Sequence, residues 1–312
     1  MSLCLVTGGA GFIGSHIVDR LLADGAAVRV LDDLSTGKRA NLAHVAGRIE
    51  FVEGDIRDLA TVQRSMRGVE KVYHLAARGS VPRSVDDPGP TNDINITGTL
   101  NLLVAARTAG VRRFVYSASS SAYGDTPVMP KTVGMLPLPL SPYAVSKLAA
   151  EMYCTVWFRV YGLQTISLRY FNVFGPRQDP AGQYAAVIPA FVSRMLLGER
   201  PVIYGDGEQS RDFCFIDNVV QANLRAANAP ETQGEVLNVA CGERTTLNAI
   251  VVELNRLLGT DLQPDHQPAR AGDVRHSLAD IAETRRVLGY EPRILFPEGL
   301  RRSIEWYRAN LA

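Results

Sequence analysis

Cysteine is scarce in this chain of 312 residues, which contains four: Cys4, Cys154, Cys214 and Cys241. No two of them have the spacing of a zinc-binding pair, so no metal site is expected, and a disulfide framework is not indicated. We predict buried, reduced thiols in a cytoplasmic protein. No apolar run approaches the roughly 20 residues that span a bilayer. No basic segment precedes a hydrophobic one at the N-terminus, so no signal peptide is expected.

An excess of either charge is also lacking. The chain has 33 Lys and Arg residues against 32 Asp and Glu residues, a formal net charge of +1. Such a chain has no overall field that would draw it to nucleic acid or to an anionic membrane, and neither is expected as a partner. Any anionic ligand would therefore have to be bound by a local site.

The first half of the chain alternates short apolar runs with amphipathic segments. The predicted strands are 3–7, 27–31, 49–53, 71–75, 114–117 and 165–169, and the predicted helices are 12–23, 59–66, 92–109 and 143–161, the third with Leu100, Leu103 and Val104 facing inward. Strands separated by crossover helices predict an α/β fold with a doubly wound parallel sheet of the Rossmann type.

The pattern loosens after residue 169, where we predict strands at 202–204 and 236–239 and helices at 188–197, 217–227, 247–258 and 297–310. This predicts a smaller, discontinuous C-terminal lobe. Residues 1–172 would form a dinucleotide-binding domain to which 213–243 return. Residues 173–212 and 244–312 would form the lobe that binds the substrate, over the carboxyl ends of the parallel strands.

A glycine-rich turn joins the first predicted strand to the first predicted helix. It reads Thr-Gly-Gly-Ala-Gly-Phe-Ile-Gly over residues 7–14, with Gly8, Gly11 and Gly14 three residues apart. Glycine permits a tight turn and a close approach of the backbone to a pyrophosphate, which the positive end of the helix dipole attracts. A glycine turn without a ligand is the alternative, but the strand–turn–helix context favours a dinucleotide site.

Acidic residues follow the second and third predicted strands. Asp32 is placed where a carboxylate accepts hydrogen bonds from a ribose 2′-hydroxyl and repels a 2′-phosphate, which favours NAD over NADP. The alternative is that Asp32 or its neighbour Asp33 caps a turn. Asp55, followed by Ile56, is placed to accept from an adenine amino group or simply belongs to a turn.

Tyr143 and Lys147 lie four residues apart near the start of a predicted helix, so their side chains share one face. A neighbouring ammonium and a positively charged nicotinamide ring would lower the pKa of tyrosine from its ordinary value near 10, and Tyr143 would then act as a general base. A tyrosine–lysine pair packed on a helix surface is the alternative. The serine-rich run 117–121 follows the fifth strand, where hydroxyls would bond a substrate or form a polar turn.

Five segments of the chain resemble the extended short-chain dehydrogenase/reductase family. They are TGGAGFIG at 7–14, HLAA at 74–77, SASSSAYG at 117–124, the Tyr143–Lys147 pair and RYFNVFG at 169–175. Within that family the segments 79–84, 184–189, 210–214 and 270–277 resemble the UDP-hexose 4-epimerases. The resemblance runs from the first strand to about Asp280. It implies an NAD-dependent isomerase that inverts C4 of a UDP-hexose through a 4-keto intermediate. It also implies a homodimer joined through the helices 92–109 and 143–161.

The resemblance further implies residue roles. Tyr143 would remove the proton from the substrate O4, Lys147 would bind the nicotinamide ribose, and Ser119 would bridge O4 and Tyr143. The cofactor would be bound by Gly8, Gly11, Phe12, Ile13, Gly14, Asp32, Asp33, Asp55, Ile56, Leu75, Ala76, Ala77, Ser117, Tyr143, Lys147 and Tyr170. The substrate would be bound by Gly79, Ser80, Ser119, Tyr143, Asn172, Ala186, Val187, Tyr204, Arg211, Arg270, Asp273 and Ser277.

Among the substrate residues, Arg211 and Arg270 would hold the diphosphate and Asp273 a ribose. Surface salt bridging is the alternative for the arginines, and Asp212 is an available partner for Arg211. Ser277 lies four residues beyond Asp273, where the family has a residue that walls the sugar pocket. A small residue there implies room for a 2-N-acetyl group, so UDP-GlcNAc and UDP-GalNAc are the predicted substrates, with UDP-glucose and UDP-galactose as further candidates. An ordinary loop serine is the alternative for Ser277.

Other functions on the same fold remain as alternatives. A 4,6-dehydratase or a decarboxylase would be expected to carry a carboxylate beside Ser119, where this chain has Ser120 and Ser121. A keto-sugar reductase would more readily use NADP, which Asp32 disfavours. A non-catalytic NAD-binding protein would be expected to have lost Tyr143, Lys147 or Ser119.

Overall fold

A seven-stranded parallel sheet forms the centre of the computed structural model, which describes residues 2–180, 186–269 and 274–310. The strands are β1 (Leu3–Thr7), β2 (Ala27–Asp32), β3 (Ile49–Glu53), β4 (Lys71–His74), β5 (Arg113–Ser119), β6 (Thr165–Tyr170), β7 (Val173–Phe174), β8 (Val202–Tyr204), β9 (Ser210–Arg211), β10 (Cys214–Phe215), β11 (Glu235–Val239), β12 (Thr245–Thr246) and β13 (Asp265–Gln267). The helices are α1 (Phe12–Ala23), α2 (Leu59–Ser65), α3 (Val81–Asp86), α4 (Pro88–Asn92), α5 (Gly98–Thr108), α6 (Pro142–Tyr161), α7 (Val187–Leu196), α8 (Ile216–Asn228), α9 (Leu247–Leu258), α10 (Ala282–Leu288) and α11 (Phe296–Asn310).

The order of the strands places the ligand-binding crevice. The sheet runs β11-β6-β5-β4-β1-β2-β3, and every neighbouring pair is parallel. The chain winds outward in one direction from β1 to β3 and in the other from β4 onward. In such a sheet the crevice lies where the strand order reverses, here beyond the carboxyl ends of β1 and β4. The predicted Rossmann-type fold is confirmed.

Helices cover both faces of the sheet, which explains why its strands are continuously apolar. Ile17 of α1 belongs to a buried apolar cluster with Val30 of β2. Leu102 of α5 belongs to a second cluster, with Val72 of β4 and Phe114 of β5. All four cysteines are buried and free. None of the helices described is long and apolar enough to cross a membrane.

The predicted helix 92–109 differs from the structure in two ways. Helical structure begins with α4 at Pro88 and passes through a π-helical turn, Asp93–Thr97, into α5. Proline is well tolerated in a first turn, and the poor helix formers near the turn weakened the periodic signal. The expected inward orientation of Val104 is wrong, because this side chain is 39% exposed.

Several short elements escaped prediction because they have little periodicity of their own. They include the 3₁₀ helices Arg39–Arg48 and Ser120–Tyr123 and the helices α3 and α10. Three two-stranded sheets, β10–β7, β12–β9 and β13–β8, also form after the end of β6. These pairs bring residues from 172 to 277 together beyond the carboxyl edge of the main sheet.

Candidate active site

A cavity of about 390 Å³ opens at the carboxyl ends of β1, β2 and β4, and we call it the glycine-loop cavity. The predicted cofactor residues that line it are Gly8, Gly11, Asp32, Asp33, Asp55, Ile56, Leu75, Ala76 and Ala77. Gly8 has a φ of +68°, and a Cβ there would lie 2.6 Å from the backbone nitrogen of Ala76. A Cβ on Gly14 would lie 2.1 Å from the carbonyl oxygen of Gly8. Both positions therefore require glycine for the loop to fold this tightly.

The N-terminus of α1 is suited to a dinucleotide pyrophosphate. Gly11 is the N-cap residue, and no side chain caps the helix. The first-turn amides at Phe12, Ile13 and Gly14 lack carbonyl partners within the helix, so they are available to an anion, which the helix dipole also favours. These three residues would contact the cofactor through backbone rather than side chains.

The acidic residues of this cavity differ in their surroundings. The buried Asp32 carboxylate accepts hydrogen bonds from the amides of Ala10 (2.9 Å) and Leu34 (2.9 Å). Burial raises the pKa of Asp32, and these two hydrogen bonds oppose the rise. Asp32 therefore shapes the turn and also lines the cavity, so the two readings of its sequence position are compatible.

The neighbouring carboxylates are engaged by the loops on which they lie. Asp33 is exposed and accepts from the hydroxyl of Ser35 at 2.6 Å. Both carboxylate oxygens of Asp55 accept a hydrogen bond from Nε of Arg57, and this interaction lowers the pKa of Asp55. Arg57 would therefore compete with an adenine amino group for this carboxylate.

Tyr143, Ser119 and Lys147 meet where β5 ends and α6 begins. The side chains of Tyr143 and Ser119 are close enough for the Ser119 hydroxyl to influence the Tyr143 phenol, and the same hydroxyl shares a hydrogen bond of 2.8 Å with that of Ser121. Lys147 is one turn further along α6 and only 4% exposed. Its ammonium lies 4.5 Å from the centre of the Tyr116 ring and forms no salt bridge with any residue in the described ranges. A buried cation of this kind fits a polar partner such as the hydroxyls of a nicotinamide ribose.

The titration of this pair differs from the expectation. Burial raises the pKa of Tyr143, and the neighbouring hydroxyl of Ser119 opposes the rise. Burial lowers the pKa of Lys147 to about 7, while Cys154 and Glu151 act in the opposite direction. Among the protein groups, burial therefore outweighs any lowering of the tyrosine pKa by Lys147. A positively charged nicotinamide ring is the remaining source of the expected lowering.

Two residues that sequence reasoning missed hold α6 in place. The Ser84 hydroxyl of α3 accepts a hydrogen bond from the amide of Tyr143 at 3.0 Å. The buried Asn95, in the π-helical turn, donates to the hydroxyl of Ser146 at 2.9 Å and accepts from the amide of Arg78 at 2.8 Å. A π-helical turn commonly marks a functional site. The cluster of poor helix formers around Asn95 was the available signal.

A buried hydrogen-bond chain links this turn to the glycine loop. Thr99 donates to the carbonyl oxygen of Asn95 at 2.6 Å, so its hydroxyl accepts from Nε2 of His74. Nδ1 of His74 must then accept from the hydroxyl of Thr7 at 2.7 Å. Burial lowers the pKa of His74 to about 3, which keeps the ring neutral in this arrangement.

A second cavity, of about 710 Å³, is lined by residues that follow β6, between Asn172 and Leu247, and we call it the lobe cavity. The predicted substrate residues that line it are Asn172, Ala186, Val187, Tyr204 and Arg211. The Arg211 guanidinium donates to the carbonyl oxygens of Ser210 and Arg275, both at 3.0 Å. These two hydrogen bonds hold the Arg211 side chain at the wall of the cavity. Gln178, Arg194 and Gln209 line it as well, without a signal in the sequence.

Ser277 contacts a residue that lines this cavity, although it is far along the chain. Its hydroxyl accepts a hydrogen bond at 3.1 Å from the side-chain amide of Asn172, which lies 105 residues earlier in the chain. Asn172 has a φ of +27°, a conformation that asparagine tolerates better than most residues. Ser277 is thus hydrogen-bonded to a cavity residue, while its predicted role as the wall of a sugar pocket stays a prediction. Arg270 and Asp273 lie outside the described residues.

Other predicted residues have contacts outside the two cavities. Ser80 is the N-cap of α3 and follows Gly79. The buried hydroxyl of Tyr170 hydrogen-bonds Asn223 at 2.9 Å, and Ser117 also bonds Tyr170. The Asp212 carboxylate accepts hydrogen bonds from the backbone amides of Cys241, Gly242 and Ala279, and the salt bridges of the described residues include none between Asp212 and Arg211. In the described parts of the chain no cluster of three or more His, Cys, Asp or Glu side chains is suited to a metal ion.

A glycine-rich loop at the carboxyl edge of a doubly wound parallel sheet, together with a tyrosine–lysine pair at the start of α6, is typical of a Rossmann-type enzyme of the extended short-chain dehydrogenase/reductase class. Comparison with protein families narrows this class. Residues 4–240 match the model of the NAD dependent epimerase/dehydratase family, and the chain belongs to that family. Its cofactor is NAD, which the uncapped N-terminus of α1 and the position of Asp32 both fit.

Solved structures of similar proteins have the same fold. UDP-glucose 4-epimerase from Thermotoga maritima, solved with UDP-glucose, is 42% identical with a TM-score of 0.95, over 99% of this chain and 100% of that one. UDP-N-acetylglucosamine 4-epimerase from Methanobrevibacter ruminantium, in complex with UDP-N-acetylmuramic acid, is 41% identical with a TM-score of 0.94, over 99% and 98%. UDP-glucose 4-epimerase from Thermus thermophilus, in complex with NAD, is 38% identical with a TM-score of 0.91, over 99% of each chain.

Proposed function

We propose that this protein is an NAD-dependent epimerase that inverts C4 of a UDP-hexose through a 4-keto sugar, with UDP-GlcNAc and UDP-GalNAc as its preferred pair. UDP-glucose and UDP-galactose are the second pair. The observation that carries the proposal is the proximity of Ser119 to Tyr143, with the buried Lys147 one turn further along the same helix. A phenol close to a serine at this position can take a proton from a sugar hydroxyl and return it.

Each group of the chain has a defined task in this proposal. Tyr143 accepts the proton of the O4 hydroxyl, directly or through Ser119. Lys147 binds the nicotinamide ribose and supplies positive charge beside the phenol. Bound NAD would supply the hydride acceptor and donor at C4. The 3₁₀ turn after β5 carries Ser120 and Ser121 next to Ser119, so this turn offers no carboxylic acid to expel a hydroxyl as a dehydratase must.

Inversion requires a nucleotide that stays bound while the sugar turns. In this proposal Arg211 holds the diphosphate through charge-assisted hydrogen bonds. Asn172 contacts the sugar or its phosphate beside Ser277. Ala186, Val187 and Tyr204, which line the lobe cavity, would contact the nucleotide. We assign Arg270 to the diphosphate and Asp273 to the uridine ribose on the resemblance alone.

The proposed lobes follow from the same arrangement. Residues 1–172 and 213–243 would form the NAD-binding domain, and 173–212 with 244–312 the UDP-sugar-binding lobe. The pairing of β11 with β6 in the main sheet supports the return of the chain to the first domain. We place the protein in the cytoplasm, where nucleotide sugars of this class would be its substrates.

We propose that the active form is a homodimer joined through α5 and α6. An exposed apolar stripe runs along α6 at Val145, Met152, Val156 and Val160, and Val104 of α5 is exposed as well. Large apolar side chains at such helical spacing normally pack against another surface. Sedimentation equilibrium should give twice the chain mass for the unaltered protein. The Met152→Glu variant, which places a charge in the apolar stripe, should give the mass of a single chain. A monomer for the unaltered protein would contradict this assembly.

The function is tested by incubating the purified protein separately with UDP-GlcNAc and UDP-glucose and resolving the products. We expect 4-epimers from both, with the higher kcat/KM for UDP-GlcNAc. Ser277→Tyr should selectively suppress the acetylated pair, because the larger ring would fill the space beside Asn172. We expect a discrimination of roughly 10- to 100-fold, as steric exclusion from a pocket typically gives.

Ser303→Ala is a matched control, because it alters a buried serine in α11 outside both cavities. Equal loss on both substrate pairs in Ser277→Tyr would contradict the specificity assignment. Absence of any 4-epimer from the unaltered enzyme would contradict the proposed function itself.

A further inference from the structure

Asp212 is a fully buried carboxylate directly after the proposed diphosphate ligand Arg211. One oxygen accepts a hydrogen bond from the amide of Cys241 at 2.9 Å. The other accepts from the amides of Gly242 at 3.0 Å and Ala279 at 3.1 Å. The carboxylate therefore joins two separate chain segments to its own, and we call these three amides the Asp212 cradle.

The two segments of the cradle have different origins. Cys241 and Gly242 follow β11, at the carboxyl edge of the main sheet. Ala279 lies two residues beyond Ser277, in the segment that leads from the proposed ligands Arg270 and Asp273. The cradle thus connects the rigid sheet with the C-terminal lobe at the point where the lobe cavity forms.

The backbone of Asp212 makes the connection to the site. Its carbonyl oxygen accepts from the side-chain amide of Asn172 at 3.2 Å. The same side-chain amide donates to the hydroxyl of Ser277, and the backbone amide of Ser277 donates to the carbonyl oxygen of Ser210 at 3.0 Å. Asn172, Arg211 and Ser277 are therefore all placed relative to one another through residues 210–212.

A purely structural role would be filled more simply by an apolar residue. Asp212 forms no salt bridge with any residue in the described ranges, and burying an unpaired carboxylate is costly. The three amides compensate this cost only while all three segments keep their relative positions, because a hydrogen bond weakens steeply with distance and angle. The carboxylate is therefore sensitive to the geometry that a bound UDP-sugar would require.

We propose that Asp212 is a positioning residue for the substrate: through its three amide hydrogen bonds it sets the arrangement of Asn172, Arg211 and Ser277 that binds the UDP group and the sugar. The inference rests on the proposed function. It assigns Asp212 no contact with the substrate and no part in proton or hydride transfer. Its removal should therefore weaken substrate binding more than it slows the chemical step.

Asp212→Asn tests this at constant shape. In either orientation of the new asparagine, its NH₂ group would face at least one backbone N–H of the cradle. Two donors cannot bond each other, so at least one of the three hydrogen bonds must be lost. We expect the KM for the UDP-sugar and the dissociation constant for UDP to rise at least about tenfold, in line with one buried group losing its partner. The turnover number should stay within about threefold of the unaltered enzyme and the NAD content unchanged, since the interaction lost is one of binding.

Asp217→Asn is the matched control. Asp217 is an aspartate five residues further on, is exposed at the start of α8 and pairs with Arg302. The Asp217→Asn variant should bind UDP with unchanged affinity and should have an unchanged KM for the UDP-sugar. A lower melting temperature of Asp212→Asn with unchanged UDP affinity and KM would reduce Asp212 to a structural residue and overturn the inference.

Amide hydrogen exchange on the unaltered protein gives an independent test should Asp212→Asn fail to fold. Coupling between two sites is reciprocal, so saturating UDP must slow exchange at Cys241, Gly242 and Ala279 if the cradle sets the UDP site. The helix α2, on the opposite side of the sheet, should exchange as before. Unchanged exchange in the cradle peptides with UDP bound would overturn the inference alone. No binding of UDP by the unaltered protein would overturn the proposed function as well.

Discussion

Tyr143→Phe should lower the turnover number by at least about 100-fold, the usual contribution of a general acid–base group. The substitution removes one hydroxyl, which lies close to Ser119 in the structure. The ring, the helix start capped by Ser84 and Ser141, and the neighbouring Lys147 remain. The loss would therefore fall on proton transfer and not on the architecture of the site.

The variant should retain NAD and should bind UDP as the unaltered enzyme does, because neither the glycine loop nor the lobe cavity is changed. Steady-state kinetics, acid release of NAD and UDP titration measure the three quantities. Tyr153→Phe is the control, since Tyr153 is a half-buried tyrosine of the same helix that packs edge-on to Trp157 at 5.8 Å. Turnover of Tyr143→Phe close to that of this control would mean that another group takes the proton.

Glu151→Gln should destabilise the fold by about 3–5 kcal/mol, the cost of leaving one member of a buried ion pair without its partner. Glu151 on α6 holds the guanidinium of Arg169 on β6 through hydrogen bonds of 2.8 and 2.7 Å. Both side chains are almost fully buried, and the guanidinium also lies 4.6 Å from the centre of the Tyr123 ring. A glutamine can accept from only part of this planar group, so a buried charge would lose its compensation.

Denaturant unfolding measures this loss, with Glu253→Gln as the control. Glu253 pairs with Arg256 on the surface of α9, and loss of such a pair costs roughly 0–1 kcal/mol. The two variants remove the same charge from helices of the same protein. Similar unfolding free energies for both would contradict the view that burial decides the strength of the Glu151–Arg169 pair.

Glu151 also affects the site, because it lies one turn beyond Lys147. Its charge opposes the lowering of the pKa of Lys147 by burial. In Glu151→Gln the pKa of Lys147 should fall further, and the ammonium would be lost over more of the neutral range. The stability of the core and the charge beside Tyr143 are therefore linked through one carboxylate.

Elements with a strong local signal were predictable. The bounds of β1, α1, β3 and α9 agree with the expectation residue for residue. Each of these elements has either a continuous apolar run or a sustained helical period, and packing then acts on what the local sequence already favours. The glycine spacing at 8, 11 and 14 predicted the dinucleotide loop for the same reason, since its geometry depends on neighbours in the chain.

Contacts between distant segments were not predictable from the residues. The amide of Tyr143 and the hydroxyl of Ser84 are 59 residues apart, and nothing in either local sequence indicates that they meet. The Asp212 cradle depends on backbone amides, which every residue except proline possesses and which therefore leave no mark in the sequence. The direction in which burial shifts the pKa values of Tyr143 and Lys147 likewise depends on what surrounds them.

The amino-acid sequence by itself determined the α/β architecture, the glycine loop, the acidic residue at the end of β2 and the helical spacing of Tyr143 and Lys147, because each depends on residues close together in the chain. Only the tertiary structure decided that Ser119 comes close to Tyr143, that Ser277 bonds Asn172 and that Asp212 bonds the amides of Cys241, Gly242 and Ala279. Hydrogen bonds form between atoms about 3 Å apart, and the folding of the whole chain sets which distant atoms come that close.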